Sequence, residues 1–236
     1  MRSSPELPQV RYALAAPGAG WELGEETLPE SVLHDEAVAL LEALLAAWAA
    51  RRGDAMVVRN LAVRWDQAHP AFGVDPDVAV IVPRPPEGED LRSLRTWKEG
   101  HAAPMLAIEV VSETTPRKDY VVARDKYAAS GVGELWIFDP LLSGPASHGG
   151  PFRLQVWTRD DDGTFSRAYA GDGPARSPAL GAYLVPVDEG RKLRIGSDAE
   201  ATDSWMTEAE AHRKERDEAL ARLREVEAEL AARGGR

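Results

Sequence analysis

The sequence contains no cysteine, which excludes disulfides, thiolate metal centres and cysteine nucleophiles and fits a reducing compartment. It also lacks a long apolar run. The longest, Ala37–Ala50, is interrupted by Glu42 and falls short of the roughly 20 residues that a membrane span requires. Charges or prolines at Arg2, Pro5, Glu6, Pro8, Arg11 and Pro17 break up the N-terminal stretch, so no signal peptide is expected and a cytoplasmic location is. A positive balance is missing as well. Lys and Arg number 28 against 39 Asp and Glu, a formal net charge of −11, which argues against a broad electrostatic grip on nucleic acid or anionic lipid. The five histidines, at positions 34, 69, 101, 148 and 212, do not have the short spacing of a zinc site, and neither a Walker loop nor a glycine-flanked serine elbow is present.

What is present is ordinary globular material: 236 residues, 44% hydrophobic and 28% charged, enough for one sizeable domain plus an appendage or for two small ones. Residues 1–30, rich in Pro, Gly and Glu, read as an irregular N-terminal segment. Ser31 is placed to cap a helix whose apolar face is Val38, Leu41, Leu44, Leu45 and Trp48 and which stops near Gly53. Met56–Val63 and Val74–Val82 read as neighbouring strands. The polar stretch Pro83–Pro104 reads as a loop with a short helix around Leu91–Trp97. Met105–Val111 follows as a buried strand, Asp119–Ser130 as a helix stopped by Gly131, and Glu134–Phe138 as another strand. Phe152–Thr158 and Thr164–Ala170 form a hairpin about Asp160–Gly163, and strands around Ala182–Val187 and Lys192–Ile195 complete a domain spanning residues 31–196. Gly171-Asp172-Gly173, followed by Pro174, reads as a plain turn. From about residue 204 to 233 Glu, Ala, Arg and Leu dominate, giving a solvated helical tail. Its Ala219, Leu223, Val226 and Leu230 form a seam of roughly two heptads, shorter than the three or four of an established coiled coil, which makes it a weak dimerisation element.

Two acids stand out because they occur in apolar strands: Asp77 in Asp75-Pro76-Asp77-Val78, and Glu109 in Ile108-Glu109-Val110-Val111. A buried carboxylate costs several kcal/mol unless it is paired or holds a cation. Two converging carboxylates suit Mg²⁺ or Mn²⁺, which use one or two protein oxygens plus water and substrate phosphate. The matching chemistry is phosphodiester hydrolysis, with a lysine to orient water or offset charge. The competing reading is a structural ion pair between these acids and Arg117, Lys118 or Arg124.

The three stretches Val74–Val82, Pro104–Ser112 and Lys118–Pro140 together resemble the Uma-two family of restriction-endonuclease-like proteins, within the PD-(D/E)XK nuclease superfamily. The resemblance spans roughly residues 28–140 and implies an α/β (α+β) fold, a mixed central sheet flanked by helices, with the first long helix beside a metal site. It implies Asp77 and Glu109 as catalytic metal ligands and Glu36 on the helix as a further metal ligand, with Mg²⁺ or Mn²⁺ as cofactor and DNA as substrate. The superfamily lysine two residues after the glutamate is replaced by Val111. The position four residues after Asp119, where many members carry it, is Ala123, which leaves Lys118 and Lys126 as the catalytic lysines. In the long loop Arg84, Arg92, Arg95 and Lys98 stand beside Glu87, Glu89, Asp90 and Glu99, four charges of each sign, in reach of phosphates or plain solvated surface. The reading is a Mg-dependent endonuclease acting on DNA. The alternative is a catalytically impaired nuclease-fold protein that binds or assembles, as a homodimer, through its C-terminal helix. Residues 207–236 hold seven Lys+Arg and eight Asp+Glu, so the remainder carries 28 − 7 = 21 against 39 − 8 = 31, and the acid excess lies in the nuclease-like part.

Overall fold

A computed structural model describes residues 31–112, 123–146 and 150–234. The described residues form α1 (Val32–Arg52), β1 (Met56–Val58), β2 (Val63–Arg64), β3 (Val78–Ile81), β4 (Leu94–Arg95), β5 (Leu106–Val110), α2 (Ala123–Ser130), β6 (Glu134–Phe138), β7 (Leu154–Arg159), β8 (Phe165–Gly171), β9 (Ala175–Ser177), β10 (Ala182–Val187), β11 (Lys192–Gly196) and α3 (Glu208–Gly234). The class is mixed α and β around a central mixed sheet, as expected.

The capping residue and the apolar period set α1. Ser31 Oγ accepts the His34 amide at 3.3 Å, and Gly53 closes the helix at φ 86°, a left-handed conformation that glycine adopts without steric cost. Asp35 in the first turn and Arg51 and Arg52 in the last complement the helix dipole. The buried face is His34, Ala37, Val38, Leu41, Leu44, Leu45 and Ala49.

The central sheet runs β1-β3-β5-β6-β7-β8. Its one parallel pair is β5 with β6, the others being antiparallel. A parallel pair needs a long crossover, and α2 lies within that connection. Strand periodicity sorts the side chains into two layers. Val78, Val80, Leu106, Ile108, Trp136, Phe138 and Val156 pack with α1 and with Leu184, Leu193 and Ile195 of the antiparallel β9-β10-β11 sheet. Ile81, Ala107, Leu135, Ile137 and Trp157 pack with Tyr127 and Ala128 of α2. Gly133 opens β6 because a Cβ there would meet the Met105 carbonyl at 2.9 Å.

Burial and hydrogen bonding tie the small sheet to the large one through Glu134. Its carboxylate accepts from Trp136 Nε1 at 2.6 Å, Ser177 Oγ at 2.5 Å and the Ala179 amide at 2.9 Å. Burial nonetheless pushes this carboxyl above the usual glutamate range, against the pull of its three donors.

Several local expectations need correction. The region expected to form a short helix around Leu91–Trp97 instead has a single 3₁₀ turn at Gly88–Asp90, and Leu94–Arg95 pairs with β2 in parallel. Met56–Val63 is not one strand: Asn60 at φ 49° separates β1 from β2. The Gly171–Pro174 turn leads into a further strand, β9, beyond those expected from the sequence. The start of the helix expected from Asp119 lies outside the described residues.

The chain divides into two units, one ending at Trp205 and one beginning at Met206. The first closes with Trp205, whose amide donates to the Ile195 carbonyl at 2.7 Å and whose ring stacks on Trp48. The second is α3. Thr207 Oγ1 accepts from the Glu210 amide and Glu210 Oε2 accepts from the Thr207 amide, a capping box that satisfies two donors at the helix start. Leu220, Leu223, Val226 and Leu230 are exposed on it. Among the described residues no helix is long and apolar enough to cross a membrane.

Candidate active site

Strand register sets the two acids opposite each other. In the β3/β5 ladder Val78 pairs with Ile108, so one step further Asp77 stands opposite Glu109, at the β5 end that leads to Val111. Strands in such a ladder lie about 4.8 Å apart. The next step across the sheet pairs Glu109 with Ile137, which puts the glutamate on the layer covered by α2.

Asp77 is buried, at 8% exposure, and both of its recorded hydrogen bonds fall on Oδ2. The Val110 amide donates to it at 2.7 Å, and His34 Nε2 lies 3.3 Å from it. A carboxylate oxygen only accepts, so Nε2 is the ring nitrogen that carries the hydrogen in this contact. His34 reaches the acid because it occupies the first turn of the buried face of α1. Glu36, two residues on, is exposed. At 100° per residue it lies about 200° around the helix from His34, so the structure does not bring it to the acids. The contribution of α1 is a histidine.

Glu109 is held from the other side of the sheet. Tyr127 Oη donates to Glu109 Oε1 at 2.5 Å. The tyrosine is 1% exposed. Burial first, then the charge and hydrogen bond of Glu109, then the charges of Asp77 and Asp75, hold its phenol protonated well above the ordinary tyrosine range.

Asp77 and Glu109 offer carboxylate oxygens from adjacent strands, the donor type that a hard divalent cation takes, while among the described residues no group of three or more His, Asp or Glu residues is placed to hold a metal ion. Two carboxylates completed by water is the coordination that Mg²⁺ favours.

The lysine positions differ in what can be described. Val111, in the superfamily's usual lysine position, is buried at 2% in the second core layer. Lys118 and Arg117 lie outside the described residues. Lys126 precedes Tyr127 on α2 and is mostly buried. Arg124 lies over the Trp157 ring at 5.5 Å. In the long loop, Arg84 pairs with Glu89 at 2.8 Å and His101 Nε2 lies 3.0 Å from Glu87 Oε1.

His34 and Tyr127 hold the two acids without being marked as site residues by the sequence, and Tyr127 also packs in the core. The available signal for His34 was its spacing: it precedes Ala37, Val38 and Leu41 by three, four and seven residues, placing a polar ring on the apolar face of a helix.

The mixed sheet thus lies between α1 on one face and α2, within the crossover of its parallel pair, on the other. The sequence matches Uma2, whose description is "Putative restriction endonuclease", over residues 11–146, more than half of the chain, and the chain belongs to this family. Among solved structures it is similar to "a putative nuclease belonging to DUF820 from Anabaena variabilis ATCC 29413", with 14% identity over 65% of this chain and 76% of that one and a TM-score of 0.45. No curated protein matches the sequence.

Proposed function

We propose that the protein is a divalent-metal-dependent endonuclease that hydrolyses DNA phosphodiester bonds, with Asp77 and Glu109 as the ligands of Mg²⁺ or Mn²⁺. The observation that carries this reading is the ladder register that sets Asp77 opposite Glu109 at the ends of neighbouring strands, with Glu109 Oε1 held by Tyr127 Oη. Family membership supports the class of activity.

When bound, the cation would polarise a phosphate oxygen and lower the pKa of water. The chain's own residues do the rest. Asp77 and Glu109 supply oxygen donors on neighbouring strands. The Val110 amide and His34 fix the rotamer of Asp77 through Oδ2, so the ligand does not reorganise during turnover. Lys126, on α2 beside Tyr127, is the described lysine assigned to offset charge that builds on the phosphate. Lys118 remains the second lysine of the proposal. Glu36 carries no role in it.

The buried Val111 favours a second reading, a nuclease-fold protein whose work is binding or assembly. Lysine chemistry is absent from the strand where the superfamily places it. In either reading the exposed stripe Leu220, Leu223, Val226 and Leu230 on α3 is assigned to homodimer contact, since burying it removes apolar surface from water.

The test is hydrolysis of supercoiled, linear and single-stranded DNA and of RNA by the full chain, with Mg²⁺, with Mn²⁺ and with EDTA. The proposal expects DNA cleavage with one or both cations and none in EDTA. Intact DNA under every condition would favour the binding reading, and cleavage that survives EDTA would contradict metal dependence.

A further inference from the structure

We propose that Tyr127 is a positioning residue that aims Glu109 at the cation. The inference rests on the assignment of Asp77 and Glu109 as metal ligands and goes beyond it.

Glu109 is long, and a glutamate at a strand end loses side-chain freedom only if something holds it. The holder is well anchored. Tyr127 packs in the layer that contains Ala128, Val132, Leu135 and Trp157, and its hydroxyl is delivered to Glu109 Oε1 at 2.5 Å. A hydrogen bond from a rigid partner to a ligating carboxylate is the kind of support that sets ligand direction in metal sites.

The chemistry of the donor matters as much as its rigidity: a phenol directs the carboxylate through a neutral hydrogen bond and adds no positive charge of its own.

The experiment is calorimetric titration of MnCl₂ into the full chain without nucleic acid, for wild type, Tyr127→Phe, Glu109→Gln and the double variant. Tyr127→Phe removes one oxygen and keeps the ring in the core. The proposal expects Mn²⁺ affinity to fall about 10- to 100-fold in Tyr127→Phe, with a far-UV spectrum like wild type. In the Glu109→Gln background the same substitution changes affinity little, because its effect runs through Glu109. Wild-type affinity in Tyr127→Phe overturns the positioning role while leaving the ligand assignment standing. An equal loss in both backgrounds also overturns it, since the tyrosine would then act on the fold rather than on Glu109. Failure of the wild type itself to take up Mn²⁺ removes the ligand assignment and the proposal together.

Discussion

Asp77 and Glu109 were legible as candidate site residues because each breaks an apolar strand pattern and a buried carboxylate demands a partner. Their supports were not. His34 and Tyr127 sit at helical positions that periodicity assigns to the core, and only the folded chain shows that each ends on a carboxylate oxygen. Glu36 illustrates the same limit: composition marks it as an acid on the right helix, while the helical angle turns it outward. Glu134 is a third case, a strand acid whose partners are structural. Burial raises its carboxyl above the reference value of 4.5, so the folded state binds its proton more tightly than the unfolded chain does. The stabilisation linked to that proton is full below about pH 4.5 and is lost as the pH rises through the folded-state value. Chemical denaturation of Glu134→Gln between pH 4 and 8 is expected to show a shallower decline in stability with rising pH than wild type. An identical pH dependence would mean that the group titrates normally.

Elements with a strong period read well, and those made by pairing alone did not. The strand Glu134–Phe138 and the helix cap at Ser31 coincide with the reading because each carries its own local signal. β4 and β9 consist of two and three residues, too short for any pattern, and exist because a neighbouring strand accepts their hydrogen bonds. The helix expected around Leu91–Trp97 gives way because Leu94 is drawn into the core while its amide donates to the Ala62 carbonyl. α1 is the element on which the site depends from one face of the sheet. Replacing its fully buried Leu44 by alanine is expected to cost about 2–5 kcal/mol, and Ser31→Ala about 1 kcal/mol through loss of the cap. Urea titration distinguishes them: equal effects would show that α1 does not hold the core in the way described.

For the whole molecule, the net charge of −11 counts against nucleic-acid binding only in part. Acids that hold a cation carry a charge the cation offsets, but Asp77 and Glu109 are two of many. DNA affinity is therefore expected to be weak and strongly salt-dependent, falling steeply between about 50 and 200 mM salt, and fluorescence-polarisation binding with Ca²⁺ in place of Mg²⁺ measures it. Salt-independent binding would point to contacts other than phosphate. The division of the chain at Trp205 and Met206 makes a separate prediction. A chain ending at Trp205 keeps the Trp48–Trp205 stack and is expected to fold and to sediment as a monomer, whereas the full chain sediments as a dimer. Equal masses would remove the assembly role of α3.

The central claim is that hydrolysis runs through two strand carboxylates brought opposite each other by register. The most direct measurement is the rate of plasmid cleavage in Mn²⁺ by wild type, Asp77→Ala and Glu109→Ala, each shown by circular dichroism to be folded. The account predicts cleavage by the wild type and a loss of at least about 100-fold in both variants. Cleavage at wild-type rate by either folded variant would contradict it.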